Sequence, residues 1–422
     1  MSEFNDIKAK INLRDIHSSY IIQGIFLFLN PEEKLDMIIY NKELQKVLLI
    51  DIEDYKKVSG KYKIGEKNGK GKEYILNSNI LIFDGEYLNG KRNGKGKEYN
   101  NYRALIFDGE YLRGKRNGKG KEYNNYGALI FEGEYLRGKR NGNGKDYSYN
   151  ELEFEGEYLN GERNGKGKEY YDNGKLKFEG EYLKGKIWNG KGYNYDGNII
   201  FEIQNGMGSI TEYNKSGALK FEGLYLNGER NGKGKEYYSY NKLKFEGEYL
   251  NGERHGKGKE YYDNHKLKLE GEYLKGKIWN GIGYNYDGNI IFEIIEGIGN
   301  VTEYNYYGKL EFKGEYINGE RNGKGKEYNN YGELKFEGEY INGKRNGKGK
   351  EYYSYGSLEF NGEFINGEKN GKGKEYYQNG NLKYEGEYLK GERNGKGKEY
   401  NKNGTLKFEG EYINGKRKLE SA

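Results

Sequence analysis

Cysteine is absent from all 422 residues, which removes disulfides, thiolate chemistry and the usual zinc ligand sets. Histidine occurs three times, at His17, His255 and His265. None is spaced to hold a metal or to activate a nucleophile, so no metal and no cofactor is expected. Long apolar runs are missing too: the longest, Ile25 to Leu29, is far too short to span a bilayer. The opening MSEFNDIKAKINLRD lacks the basic-then-apolar order of a secretory signal. An intracellular, cytoplasmic protein is expected.

Aliphatic side chains are scarce. Hydrophobic residues make up 34% of the chain and aromatics 16%, against 69 glycines, so a conventional core can form only locally and an elongated structure is expected. Lysine and arginine number 72 and acidic residues 66. The signs are interleaved, which describes a solvated surface and not the clustered basic face that nucleic acid requires.

What is abundant is one phrase. An aromatic followed two residues later by Gly and four later by Tyr recurs at Phe83, Phe107, Phe131, Phe154, Phe178, Phe221, Phe245, Phe312, Phe336 and Phe408, at intervals of 24, 24, 23 and then repeatedly 24 residues. Such a period marks a solenoid or array. Two blocks break the pattern alike: WNGKGY from Trp188 and WNGIGY from Trp279, each followed by GNIIFEI, lie 91 residues apart (279 − 188). The equal offset indicates that four units were duplicated together.

Within one unit Leu176, Phe178, Gly180 and Tyr182 share one parity and Lys177, Glu179 and Glu181 the other, the period of a half-buried strand. Asn160-Gly161 and Asn164-Gly165 supply the positive φ of tight turns. A second strand, GKGKEYY, then runs to the turn at Asp172-Asn173-Gly174. Each unit is therefore expected to be a β-hairpin, and successive hairpins to pair edge to edge. The structural glycines Gly156, Gly161, Gly165, Gly167 and Gly174 recur with it, and glycine inside a strand costs stability. Rings such as Phe154, Tyr158 and Tyr170 are expected to lie over the bare backbone, so that each hairpin buries its aromatics against the next. The charged run Lys416, Arg417 and Lys418 guards the last edge.

These residues resemble the MORN repeat (membrane occupation and recognition nexus): in the unit from Phe154, the matching positions are Phe154, Gly156, Tyr158, Gly161, Gly165, Gly167 and Gly174. The 24-residue units and the Lys-Glu-Tyr run bring the chain closer to variant MORN-like repeats. The resemblance implies a mainly β fold, an elongated single-layer, twisted and rolled sheet of antiparallel β-hairpins over residues 58–416. It also implies a non-enzymatic scaffold for protein–protein interactions, binding through an aromatic groove. Phe154, Tyr158, Tyr170, Phe178, Tyr182, Tyr249 and Tyr340 are the groove candidates. Trp188 and Trp279 join them, since tryptophan is enriched at interface hot spots.

A second reading is tethering to an anionic or phosphoinositide membrane, with an associated cytoskeletal or membrane location. Lys91, Arg92, Lys115, Arg116, Lys344 and Arg345 would line up a basic stripe. A third concerns residues 1–57, rich in Ile and Leu and poor in Gly. Helices beginning near Ser18-Ser19 and at Asn30-Pro31 make a small α-helical N-terminal cap. Within it, Ile21 to Leu49 also resembles a degenerate F-box, in which Ile21, Ile22, Ile25, Phe26, Leu29 and Leu35 would dock a Skp1-like adaptor of ubiquitin ligases. Residues 417–422 are a C-terminal tail. Gly85 to Arg92 match a phosphate-binding loop except at Arg92, where Ser or Thr is required, and are read as a turn.

Overall fold

Alternating polarity and recurrent Asn-Gly pairs build hairpins, and a computed structural model describes residues 46, 60–76 and 78–418. Of the segment expected to form the helical cap only residue 46 is among the described residues, and the F-box-like positions Ile21 to Leu35 lie outside them. The chain divides into two compact units, residues 1–174 with 182–185 and residues 175–181 with 186–422.

In the first unit, strands run in chain order from Lys61–Gly65 to Glu162–Tyr170, each antiparallel to the one before. The hairpin Glu151–Leu159 with Glu162–Tyr170 shows the plan. Phe154, Gly156 and Tyr158 face one side, where both rings are buried. Glu155 and Glu157 face the other. Asn160 and Gly161 turn the chain with φ of 54° and 97°, the paired left-handed residues of a type I′ turn. Asn164-Gly165, expected to belong to the reversal, instead lies inside the second strand, where the register slips between Arg163 and Gly167. Gly165 keeps its positive φ, 99°, because it forms a bulge. The connection is thus two residues long, and Arg163 belongs to the sheet.

Glycines pair with glycines across the strands: Gly71 with Gly85, Gly85 with Gly96, and so on to Gly156 with Gly167. The reason is a ring. A Cβ on Gly109 or Gly120 would come within 2.7 and 2.4 Å of Cζ of Phe107, so this phenyl group lies flat on the backbone of the pair. A second ladder joins successive hairpins at their tight turns, where the Gly114, Gly138 and Gly161 N–H groups donate to the carbonyls of Arg92, Arg116 and Arg140, each at 2.8 Å.

The second unit repeats this plan in an 8-stranded sheet from Gly208–Tyr213 to Ile290–Ile294 and an 11-stranded sheet from Gly299–Tyr304 to Lys416–Arg417. The duplicated blocks are the breaks. At Gln204–Met207 and Ile295–Ile298 the chain makes only an isolated bridge. In the strand that follows, Ile210 and Val301 take the glycine's place opposite Gly223 and Gly314. Lys416 and Arg417 open a last short strand against Ile413 and Tyr412, and the Arg417 guanidinium sits 4.7 Å from the Phe408 ring centre.

Candidate binding face

Two faces of the sheet are chemically distinct. On the first, the phenyl group of most repeats is packed between glycine backbone and an arginine; at Phe360 the cover is Lys369, 4.4 Å from the ring centre. The Arg116 guanidinium lies 4.1 Å from the centre of the Phe107 ring and pairs with Glu98 at 2.6 Å and Glu122 at 2.9 Å. Tyr135 of the next hairpin meets the same ring edge-on, 5.2 Å between centroids. The arrangement recurs in the second unit, where Arg345 covers Phe336 at 4.1 Å and pairs with Glu327 and Glu351 at 2.5 and 2.7 Å.

In several repeats such contacts lower a carboxylate below its usual range. Burial alone would push the Glu375 carboxyl up, but hydrogen bonds from Arg393, its charge and the Tyr388 hydroxyl hold it down at about 2. Glu73, Glu212, Glu236 and Glu327 lie low for the same opposed causes, with Arg92, Arg230, Arg254 and Arg345 as partners.

This geometry corrects two expectations. Phe154, Tyr158, Phe178, Tyr182, Tyr249 and Tyr340 are buried; they form the core and do not line an open groove, because glycine and arginine close over the rings. Arg92, Arg116 and Arg345 do not form a lipid-facing stripe either, since each is turned onto a phenyl ring with its side chain 15–24% exposed. Lys91, Lys115 and Lys344 are exposed, so the stripe reduces to single lysines at separate turns. Trp188 and Trp279 are half-buried. A Cβ on Gly206 or Gly297 would lie 2.7 or 3.0 Å from Cζ3 of the respective indole, and the glycine N–H donates to the tryptophan carbonyl at 2.8 and 2.7 Å. Both tryptophans therefore seal the two breaks.

The opposite face is where the open space lies. In the second unit a groove of about 750 Å³ is floored by Gly223, Gly234, Gly247, Gly258 and Gly271 and flanked by charged rails. Lys233, Glu248, Lys257 and Glu272 form one rail. Glu222, Lys235, Glu246, Lys259 and Glu270 form the other. A second groove of about 660 Å³, floored by Gly373, Gly386, Gly397 and Gly410, repeats the plan with Lys372, Lys374, Glu385, Glu387, Lys396 and Lys398. The rails are braced: Tyr237, Tyr261 and Tyr284 hydroxyls donate to Glu222, Glu246 and Glu270 at 2.5–2.6 Å. Tyr170 belongs to this class, donating to Glu155 at 2.6 Å, and of the expected groove rings it is the one placed here.

Sequence reasoning found the glycines and missed what they do on this side. Removing side chains from a strip of sheet leaves a channel between the lysines and glutamates that alternate with it. The signal was present in the parity of Lys166, Gly167 and Lys168. Among the described residues no group of three or more His, Cys, Asp or Glu side chains could hold a metal ion, and no helix is long and apolar enough to cross a membrane.

The sequence model of the MORN repeat matches ten stretches, residues 83–101, 107–127, 131–145, 154–175, 221–239, 245–266, 312–332, 336–357, 360–382 and 384–406. No curated protein matches the chain. Among solved structures, similarity is found to the crystal structures of TcdB2-TccC3-Cdc42 and of TcdB2-TccC3 without its hypervariable C-terminal region, each at 10% identity and a TM-score of 0.16. The alignments cover 78% of this chain and 24% of theirs, so it spans about a quarter of those chains, and likeness at this level carries no argument.

Proposed function

We propose that this chain, which carries MORN repeats at ten places, is a non-enzymatic intracellular scaffold that holds a protein partner along its glycine-floored face. The observation that carries the reading is the groove between the two lysine–glutamate rails, present twice in the second unit. A flat floor without side chains admits a partner's backbone or helix closely. Rails in which Lys faces Glu across the strands, as Lys233 does Glu248 and Lys257 does Glu272, suit a partner whose own charges alternate. Such exposed pairs contribute little to folding, roughly 0.2–1 kcal/mol each, so they can be re-paired across an interface at small cost. Charge complementarity of this kind sets partner choice and association rate more than raw affinity.

The test is charge reversal on one rail. Lys233→Glu with Lys257→Glu, and separately Lys372→Glu with Lys396→Glu, should leave far-UV circular dichroism unchanged and remove the proteins recovered by affinity capture of the full chain from cell extract. Recovery of the same proteins by both variants would refute the assignment of this face.

A further inference from the structure

Among the described residues, seven tyrosines stand at the tips of turns that join one hairpin to the next, and six fall in two consecutive runs. Tyr102, Tyr126 and Tyr149 in the first unit are 88, 96 and 94% exposed; Tyr307, Tyr331 and Tyr355 in the second are 68, 88 and 93% exposed. The seventh, Tyr240, is isolated from both runs and 92% exposed.

Nothing in the turn asks for a ring. The same place holds Asn173, Asn264, Asn379 and Asn403 in other repeats. Tyr149 and Tyr355 adopt φ of 50° and 80°, a left-handed conformation that disfavours bulky side chains. At these two of the six triad positions, as at the isolated Tyr240 with φ of 64°, the chain bears a backbone cost to hold an aromatic group in water.

The tips lie on one edge of the sheet in each unit, and neighbouring tips touch. The Asn100 side-chain amide donates to the Asn125 side-chain oxygen at 3.4 Å, and below the tips the Tyr353 hydroxyl donates to the carbonyl of Tyr376, the last residue of the neighbouring strand, at 2.8 Å. With two strands per repeat, successive tyrosines stand about 10 Å apart along the edge. A polyproline II helix completes a turn in about 9 Å, three residues long. One face of such a helix therefore presents a residue to each ring in turn.

Charge favours the same occupant. In a chain of which 33% is charged, the turn segments 100–104, 124–128, 149–150, 305–309, 329–333 and 353–357 carry only Arg103, Lys309 and Glu333, too few cations for a phosphate-bearing polymer or membrane. Proline rings stack on tyrosines, and the backbone carbonyls that this helix leaves unpaired accept hydrogen bonds from hydroxyls and amides such as Asn101 and Asn330. Beside Tyr102 a hollow of about 620 Å³ is lined by Ile75, Ile82 and Ile106 together with Lys61, Arg92 and Glu98, and the isoleucines offer a ring apolar contact.

We propose that each tyrosine triad is a docking ladder for an uncharged, proline-rich segment in the polyproline II conformation, contacting one ring at every third residue. This surface is the turn edge, separate from the charged rails, so it stands or falls independently of the scaffold reading above.

The test uses the full chain and a fluorescently labelled synthetic peptide with proline at every third position, followed by anisotropy. Saturable binding is expected, weakened about tenfold in the double variant Tyr126→Asn, Tyr331→Asn, and unchanged in Tyr240→Asn, which removes an equally exposed ring outside the triads. Asparagine already occupies this position in four other repeats, so these variants keep the turn. A peptide with proline at every fourth position should bind more weakly. Absence of saturable binding, equal loss in Tyr240→Asn, indifference to proline spacing, or tighter binding of a linear neutral oligosaccharide would each overturn the proposal.

Discussion

At the scale of the residue, stability rests on glycine, phenylalanine and arginine stacked in that order. Gly120→Ala would place a methyl group 2.4 Å from Cζ of Phe107, with Arg116 closing the other side of the ring, so relief requires lifting the ring from the sheet. A loss of about 1–3 kcal/mol is expected from this overpacking, read as a lower urea midpoint. Arg116→Ala should cost stability as well, and Arg116→Lys should restore it only in part: Lys369, at the equivalent place, covers Phe360 at 4.4 Å and pairs with Glu351 at 3.0 Å, whereas Arg116 pairs with both Glu98 and Glu122. Carboxylates paired with arginine elsewhere in the array set the response to acid. Glu73, Glu212, Glu236, Glu327 and Glu375 have folded values below the ordinary 4.5. A depressed carboxylate contributes its full stabilisation above the unfolded value and loses it as pH falls through the folded one. The urea midpoint should therefore hold steady down to about pH 5 and fall toward pH 2, where Glu375 itself takes up its proton; a midpoint independent of pH over that range would contradict the arginine contacts.

At the scale of the element, the hairpin was legible and its turn was not. Alternation places Phe178 and Tyr182 on one face, and glycine within the strands marks seats for rings. The segment NGERNG, however, holds two Asn-Gly pairs, and by sequence both suit a reversal. Only Asn160-Gly161 reverses the chain; Gly165 bulges within the strand, and a bulge and a turn ask the same positive φ of glycine. With Arg163 in the sheet its guanidinium covers Phe154 at 3.9 Å, so the rings are core where the family resemblance implies a groove. In the tight turns themselves two repeats carry Arg113 and Arg137 at φ of 50° and 51° where others carry asparagine. Arg113→Asn should raise stability by about 1 kcal/mol, since asparagine tolerates the left-handed conformation better. A measured Tm equal to or below that of the parent chain would show that the Arg113 side chain supplies a contact that offsets the backbone cost.

At the scale of the whole molecule, repetition makes stability local. Extensive strand contacts join strands adjacent in sequence, so each repeat is stabilised chiefly by its immediate neighbours, and the chain should behave as a linear array of coupled hairpins. Period and composition announce this much directly, whereas the open face, the tyrosine tips and the role of the tryptophans depend on register, which no period fixes. The tryptophans make the array testable. Both Trp188 and Trp279 lie in the second unit, packed on Gly206 and Gly297 at the two breaks in strand pairing. Their fluorescence reports those breaks, while circular dichroism reports strand throughout. If stability is local, the breaks, where an isolated bridge replaces a full ladder, should open before the regular hairpins. Urea unfolding followed by tryptophan fluorescence should then have its midpoint below that of the far-UV signal, and Trp188→Phe should shift the residual fluorescence transition little, because the second break is coupled to it only through intervening repeats. Coincident transitions by both probes would instead mean that unfolding is all-or-none, and that the glycine and arginine ladders bind the repeats into one cooperative body despite the breaks.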